Sequence, residues 1–174
     1  MNDAIDAVVP RRALLAVLTL AAWPRLPVAA PSASPATIQW SAIELLDGKV
    51  LKPADWTDMA AVVVFWSTTC PFCRRHNEHV QKLFAASAGQ RLRVLGASLD
   101  RDAGAVRRYM ADRGYGFPVT LDAARLRPLF TTRAVIPMTC TVDRGGHLRQ
   151  TIPGEMFEED VLELGRLAGQ PRGA

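Results

Sequence analysis

Cys70 and Cys73 stand three residues apart in the stretch FWSTTCPFCRRH, residues 65–76. Pro71 favours the first position of a helix, where its missing N–H costs nothing, so the helix begins at Cys70. The unpaired N–H groups and the dipole at a helix start stabilise a thiolate there. Cys73 follows on the same helical face, close enough to close a small ring. The spacing predicts a redox couple in which Cys70 attacks a substrate disulfide and Cys73 resolves the mixed disulfide.

A structural staple and a zinc site are the other chemistries that a close cysteine pair permits. A disulfide across so short a loop restricts the unfolded chain little, so it would contribute little stability. A closed zinc site needs four ligands, and the chain adds only 3 scattered histidines to this pair. The redox couple is therefore the favoured interpretation, and we expect neither a bound metal nor an organic cofactor.

The segments on either side of the pair predict the elements that position it. The run AVVVFW, residues 61–66, is apolar on both faces and typical of a central strand. Residues 71–87 predict a helix, because apolar side chains recur there at helical spacing. Those apolar positions are Phe72, Val80, Leu83 and Phe84. A strand followed at once by this helix places the cysteines at the end of a buried strand.

The rest of the chain indicates an α/β fold. Residues 38–56 predict an N-terminal β-hairpin about Asp47-Gly48 and a helical turn near Pro53. After the cysteine helix come a strand (91–100), a helix closed by Gly114 (102–114), a strand (116–122) and a helical turn interrupted by Pro128 (123–130). Two strands about Gly145-Gly146 (138–152) follow. The last helix (154–169) has Phe157, Val161, Leu164 and Leu167 on one face. This order implies a central mixed sheet with an antiparallel edge, flanked by helices.

The first 36 residues differ from the remainder. Arg11 and Arg12 precede an apolar stretch, residues 13–23, and a spacer rich in Pro, Ala and Ser follows. This order is typical of a secretory signal, and the apolar stretch is short for a bilayer span. We interpret residues 1–36 as signal peptide and linker and 37–170 as one domain, with an uncleaved N-terminal membrane anchor as the alternative. Either way the domain faces an oxidising compartment, the periplasm.

Composition and charge bear on the size of the core and on the class of partner. The chain has 174 residues, of which 49% are hydrophobic, enough for one domain with a proper core. Its net charge is +4, and basic and acidic residues are interspersed. Nucleic-acid binders carry clustered basic patches instead, so we expect no nucleic-acid partner.

Three motifs in this order resemble the thioredoxin superfamily: VVVFWSTTCPFC (62–73), VIPMTCTVDRGGHL (135–148) and PGE (153–155). More narrowly, the insert VLGASLDRDAGAVRRYMADRGYGFPVTLD, residues 94–122, resembles the bacterial extracytoplasmic branch of TlpA, ResA and CcmG type, with its redoxin-like domain of AhpC/TSA type. The resemblance spans residues 38–169. It implies a thioredoxin-like fold with an N-terminal hairpin and an inserted αβ element.

The resemblance implies roles for residues beyond the cysteines. Ile136-Pro137 matches the cis-proline of the family, which offers the substrate a strand-like edge. Trp66 matches an aromatic residue that covers the site, with a plain core tryptophan as the alternative. Cys140, three residues beyond Pro137, is expected to be a small buried hydrophobe, with a mixed-disulfide role as the alternative.

Two positions depart from the family pattern. Val64 stands where thioredoxin itself has a buried Asp that relays protons, so that relay is absent. His76 follows Cys73 by three residues, at a position where several reducing relatives carry Glu. Its imidazole could exchange a proton with Cys73 near neutral pH. A solvated surface histidine is the alternative.

The resemblance implies a periplasmic thiol:disulfide oxidoreductase acting on protein substrates. Relatives of this architecture mostly reduce specific partners, such as apocytochrome c or copper-site cysteines. A reductant in that compartment needs an upstream donor, by analogy a membrane thiol reductant of DsbD or CcdA type. We expect a monomer.

Three rival functions remain at the level of sequence. Cys-Pro-Phe-Cys shares its proline with DsbA, a general oxidant, although Phe72 replaces the histidine of that protein. A copper carrier would use Cys70, Cys73 and His76, since soft thiolates suit Cu(I). A peroxiredoxin is disfavoured, because Val63 and Ser67 stand where its proline and threonine would be.

Overall fold

The computed structural model describes residues 36–170. The predicted signal peptide and linker fall in residues 1–35, outside the described residues, apart from Ala36. Within the described range, no helix has the length and apolar character needed to cross a membrane.

A short hairpin opens the described part of the chain. Strand β1 (Ile43–Glu44) pairs antiparallel with β2 (Val50–Leu51), and a 3-10 turn (Pro53–Trp56) follows. Gly48 in the connecting turn has φ +84°, a conformation that glycine adopts at no steric cost. The predicted hairpin is confirmed, and it forms a two-stranded sheet of its own.

Five strands form the main sheet: β3 (Ala60–Trp66), β4 (Leu92–Ser98), β5 (Val119–Thr120), β6 (Met138–Val142) and β7 (Leu148–Pro153). Their order is β5-β4-β3-β6-β7. β3, β4 and β5 are parallel, whereas β6 and β7 run antiparallel to their neighbours. The predicted mixed sheet with an antiparallel edge is confirmed.

Helices cover both faces of this sheet: α1 (Pro71–Ala86), α2 (Ala103–Asp112), α3 (Ala123–Leu126) and α4 (Glu158–Glu163). Short 3-10 segments extend α3 through Arg127–Leu129 and α4 through Leu164–Gly169. Pro128 lies in the first of these segments, so the predicted interruption is confirmed. This order of elements agrees with the fold that the sequence resemblance implies, and α2 and β5 stand where it places the inserted αβ element.

The central strand β3 separates two hydrophobic clusters, because alternate side chains of a strand point to opposite faces. Val62 and Val64 pack with Cys73, Val80 and other residues of α1, α2 and α4. The intervening side chains pack with the hairpin and α3 on the other face. All of β3 is therefore buried, as its apolar run predicted.

Two aromatic residues that were predicted to lie on buried helix faces are exposed. Phe72 is 56% exposed at the start of α1, and the Arg75 guanidinium sits 5.2 Å from its ring centroid. Phe157 is 79% exposed, because it is the N-cap of α4 and its backbone is extended rather than helical. The predicted inward faces are therefore wrong at these two positions.

Candidate active site

Cys70 and Cys73 are joined by a disulfide, with Cα atoms 5.2 Å apart. Cys70 is the N-cap of α1 and Pro71 its first helical residue, as predicted. The Cys73 backbone N–H donates to Cys70 Sγ at 3.1 Å, so the helix start supplies a hydrogen bond to this sulfur. Cys73 is fully buried, whereas Cys70 is half-buried. Only Cys70 therefore presents its sulfur to a molecule in solution.

The loop before β6 lies against Cys70. The Ile136–Pro137 peptide bond is cis, as the sequence resemblance implied, and the Ile136 carbonyl oxygen lies 4.0 Å from Cys70 Sγ. The Pro137 carbonyl accepts the Gly154 N–H at 2.8 Å, which ties the loop to the end of β7. A group bound to Cys70 would therefore meet the backbone of this loop.

Arg127 fixes the other side of the same loop. Its Nη2 donates to the Val135 carbonyl at 2.9 Å, and its guanidinium lies 5.6 Å from the Phe65 ring centroid. The loop is thus anchored to the end of α3 as well as to β7. Neither anchor was predicted from the sequence.

His76 is fully buried beneath the cysteines, and the surface interpretation is wrong. Its Nδ1 accepts the Met156 N–H at 3.3 Å, so Nε2 carries the proton and donates to Thr139 Oγ1 at 2.9 Å. Burial lowers the pKa of His76 to about 4, so the ring is neutral at neutral pH. His76 therefore joins α1, β6 and the segment after β7.

The His76–Thr139 pair lies beside the position of the missing acidic relay. Thr139 on β6 is the cross-strand neighbour of Val64 on β3. A neutral hydrogen-bonded pair thus stands next to the site where the sequence resemblance places a buried Asp in thioredoxin. With both ring nitrogens engaged, His76 positions the helix rather than exchanging protons freely.

Asp100 holds the loop that leads into Cys70. One carboxylate oxygen accepts the Thr68 hydroxyl at 2.8 Å, and the other accepts the Thr68 N–H at 2.8 Å and the Ser98 hydroxyl at 2.7 Å. Asp100 was not among the residues predicted from the sequence. Its signal was available, because it follows β4 and the carboxyl ends of parallel strands meet at one edge of a sheet.

The residue after Gly154 contributes an ion pair to the site. Glu155 binds Arg75 through two hydrogen bonds of 2.7 and 2.5 Å, and this hydrogen bonding lowers the pKa of the glutamate. The PGE motif thereby connects the segment after β7 to the first turns of α1. Among residues 36–170, Arg74 has no such carboxylate partner.

Comparison with known proteins assigns the family. The model of the AhpC/TSA family matches residues 36–151. The chain belongs to the AhpC/TSA family. A thiol-disulfide oxidoreductase ResA from Halalkalibacterium halodurans is 25% identical over 129 residues, which cover 70% of this chain and 69% of the relative. A ResA from Geobacillus kaustophilus is 23% identical over 67% of each chain.

Solved structures show the same fold. A thioredoxin-family thiol:disulfide interchange protein from Chlorobium tepidum TLS has a TM-score of 0.71 and 23% identity, covering 78% of this chain and 97% of that one. StoA from Bacillus subtilis has a TM-score of 0.63 and 18% identity, covering 75% and 98%. The predicted thioredoxin-like fold and the predicted enzyme class, a thiol-disulfide oxidoreductase, are confirmed.

Two of the sequence-predicted residues lie away from the surface of this AhpC/TSA-family site. Trp66 is fully buried and packs on Tyr109 with ring centroids 5.3 Å apart, so the alternative of a core tryptophan holds. Gly96 on β4 makes room for it, since a Cβ there would approach Trp66 Nε1 to 2.8 Å.

Cys140 is free and buried in the cluster on the opposite face of the sheet from Cys73, and burial raises its pKa to about 12. It cannot resolve a disulfide at Cys70.

Proposed function

We propose that the chain is a periplasmic thiol:disulfide oxidoreductase that reduces protein substrates, in cytochrome c maturation or at copper-site thiols. The contrast between the two sulfurs carries this proposal. Cys70 is half-buried at a helix start with the Ile136 carbonyl 4.0 Å away, while Cys73 is fully buried behind it. This asymmetry suits an attacking sulfur and a resolving sulfur.

The reaction starts from the dithiol form. The Cys70 thiolate attacks one sulfur of a substrate disulfide, that S–S bond breaks, and the released substrate thiolate takes a proton. Cys73 then loses its proton, and its thiolate attacks Cys70 Sγ, breaks the mixed disulfide and releases the second substrate sulfur as a thiolate, which takes that proton. The substrate gains two electrons and two protons, and the enzyme is left with the Cys70–Cys73 disulfide found in the structure.

The surroundings of Cys70 support reduction over oxidation. DsbA oxidises strongly because its reduced form is stabilised. Here Phe72 lies between the cysteines and offers no hydrogen bond, and Cys70 Sγ accepts one backbone N–H, from Cys73. A less stabilised thiolate favours the disulfide form of the enzyme, which makes the dithiol a better electron donor.

The expected compartment demands a source of electrons. Thiols in the periplasm need continual re-reduction, so the proposal includes a membrane thiol reductant of DsbD or CcdA type. The N-terminal signal predicted from the sequence supports export, or membrane anchoring if it stays uncleaved. One of the structural neighbours is described as a secreted Mycobacterium tuberculosis disulfide oxidoreductase homologous to E. coli DsbE.

Insulin reduction tests this function against the copper-carrier alternative. We expect the wild type to accelerate reduction of insulin by dithiothreitol at least about tenfold over the uncatalysed rate, and Cys70→Ser to abolish the acceleration. His76 would be a poor copper ligand, because Thr139 and Met156 engage both of its nitrogens. Stoichiometric Cu(I) binding that depends on Cys70, without insulin reduction, would refute the proposal.

A further inference from the structure

We propose that the surface around Cys70 selects protein segments whose reactive cysteine is flanked by acidic residues. This inference rests on the proposed function and names its substrate class. We call the surface the basic face: it consists of the exposed arginines Arg74 and Arg133 together with the exposed apolar side chains of Phe72 and Val135.

Both arginines lie close to the reactive sulfur. Arg74 directly follows Cys73. Arg133 comes three residues before Ile136, whose carbonyl oxygen is 4.0 Å from Cys70 Sγ. Three residues of extended chain span at most about 11 Å, roughly one Debye length at 0.1 M salt. Within the described part of the chain, neither guanidinium has a carboxylate partner within ion-pair distance, and both side chains are exposed to solvent.

Three carboxylates around the site already have partners, and one of them, Glu78, lies one turn after Arg74 and 3.9 Å from Arg113. Asp100 accepts hydrogen bonds from Thr68 and Ser98, and Glu155 pairs with Arg75. The segment 123–142, which includes the loop next to Cys70, contains three arginines and neither Asp nor Glu. These arginines are Arg125, Arg127 and Arg133; Arg125 pairs with Asp122, and within the described residues the other two have no carboxylate partner. The surface beside Cys70 therefore carries positive charge that no direct ion pair neutralises, and this charge attracts acidic segments and repels basic ones.

The apolar part of the basic face supplies a place for the substrate chain. Phe72 is 56% exposed two residues after Cys70, and Val135 is 49% exposed next to Ile136. Arg75 packs over the Phe72 ring and holds it in place. Large apolar side chains beside a reactive sulfur fit a partner that covers them during exchange. An extended segment with an apolar residue near its cysteine and acidic residues beyond it matches this surface.

Two synthetic disulfide peptides that differ only in flanking charge test the inference. One carries Asp and Glu around its cysteines, and the other carries Lys at the same positions. At low ionic strength we expect the reduced wild type to react about tenfold faster with the acidic peptide. In 1 M salt, where the Debye length is about 3 Å, the ratio should fall below about two.

A double variant, Arg74→Gln with Arg133→Gln, should reduce the low-salt preference to less than about twofold. The matched control, Arg91→Gln with Lys49→Gln, removes the same net charge at the opposite end of the sheet, where Lys49 lines a cavity with Arg93 of β4, and should keep the preference. Arg91 directly precedes β4, so it lies at the end of the strands opposite to the end where the cysteines lie. If the wild type reacts with both peptides at equal rates, the basic face does not select acidic segments, and the proposed function still stands. If the wild type reacts with neither peptide, the proposed function itself is wrong.

Discussion

Replacing Cys73 with Ala is expected to leave the enzyme covalently attached to its substrate through Cys70. Cys73 is fully buried behind Cys70, and among the cysteines of the described residues its sulfur alone is in position to break a mixed disulfide at Cys70. Without it, release depends on thiols from solution. Effective molarities of well-oriented intramolecular groups are very high, so turnover should fall by more than about 10³-fold.

Mass spectrometry of protein reacted with a disulfide peptide checks this expectation. The Cys73→Ala variant should accumulate a one-to-one adduct at Cys70, whereas Cys70→Ala should form none. Cys140→Ala is the matched control, because that thiol lies on the other face of the sheet and turnover should persist. If Cys70→Ala forms the adduct and Cys73→Ala does not, the assignment of attacker and resolver is reversed.

His76 is expected to make the protein sensitive to mild acid. Its folded pKa is about 4, against an ordinary value of 6.5, because burial disfavours the charged ring. Between these two values the unfolded chain binds the proton and the folded chain does not, so the free energy of unfolding falls as pH falls. The stability that the neutral His76 ring permits is complete above pH 6.5 and is lost as the pH falls toward 4. Over this range the free energy of unfolding falls by about 3 kcal/mol.

Urea denaturation of the oxidised protein at several pH values between 4.5 and 6.5 measures this effect. His76→Gln should lower stability at pH 7, since it disrupts the hydrogen bonds to Thr139 and Met156, and should flatten the pH dependence. His79→Gln, a half-buried neighbour on α1, should retain the wild-type slope. A wild-type slope in His76→Gln would contradict the assignment of the acid sensitivity to His76.

The features that local signals specify were predictable from the sequence. A β-branched run predicted β3, and Pro71 directly after Cys70 predicted the start of α1. The hairpin turn at Gly48 likewise needed only its own residues. Each of these features depends on conformational preferences within a few positions, which the sequence displays directly.

The environment of the buried side chains depends on partners far along the chain. His76 bonds to Thr139, 63 residues away, and to Met156, 80 residues away. Its position on α1 alone made a surface histidine and a proton donor equally reasonable. The place of Asp100 after β4 could have put it at the edge of the sheet where Cys70 lies, but its partner Thr68, 32 residues earlier, could not be read from that place. Such pairs follow from the tertiary arrangement, and no pattern within the helix or the loop specifies them.

Titration of the Cys70–Cys73 couple against glutathione buffers tests most directly whether the protein is a reductant. The fraction of disulfide at each ratio of reduced to oxidised glutathione gives the reduction potential. With Phe72 between the cysteines and a single backbone N–H at Cys70 Sγ, we expect a potential near that of thioredoxin, about −270 mV. A potential near that of DsbA, about −120 mV, would contradict the assignment and identify an oxidant.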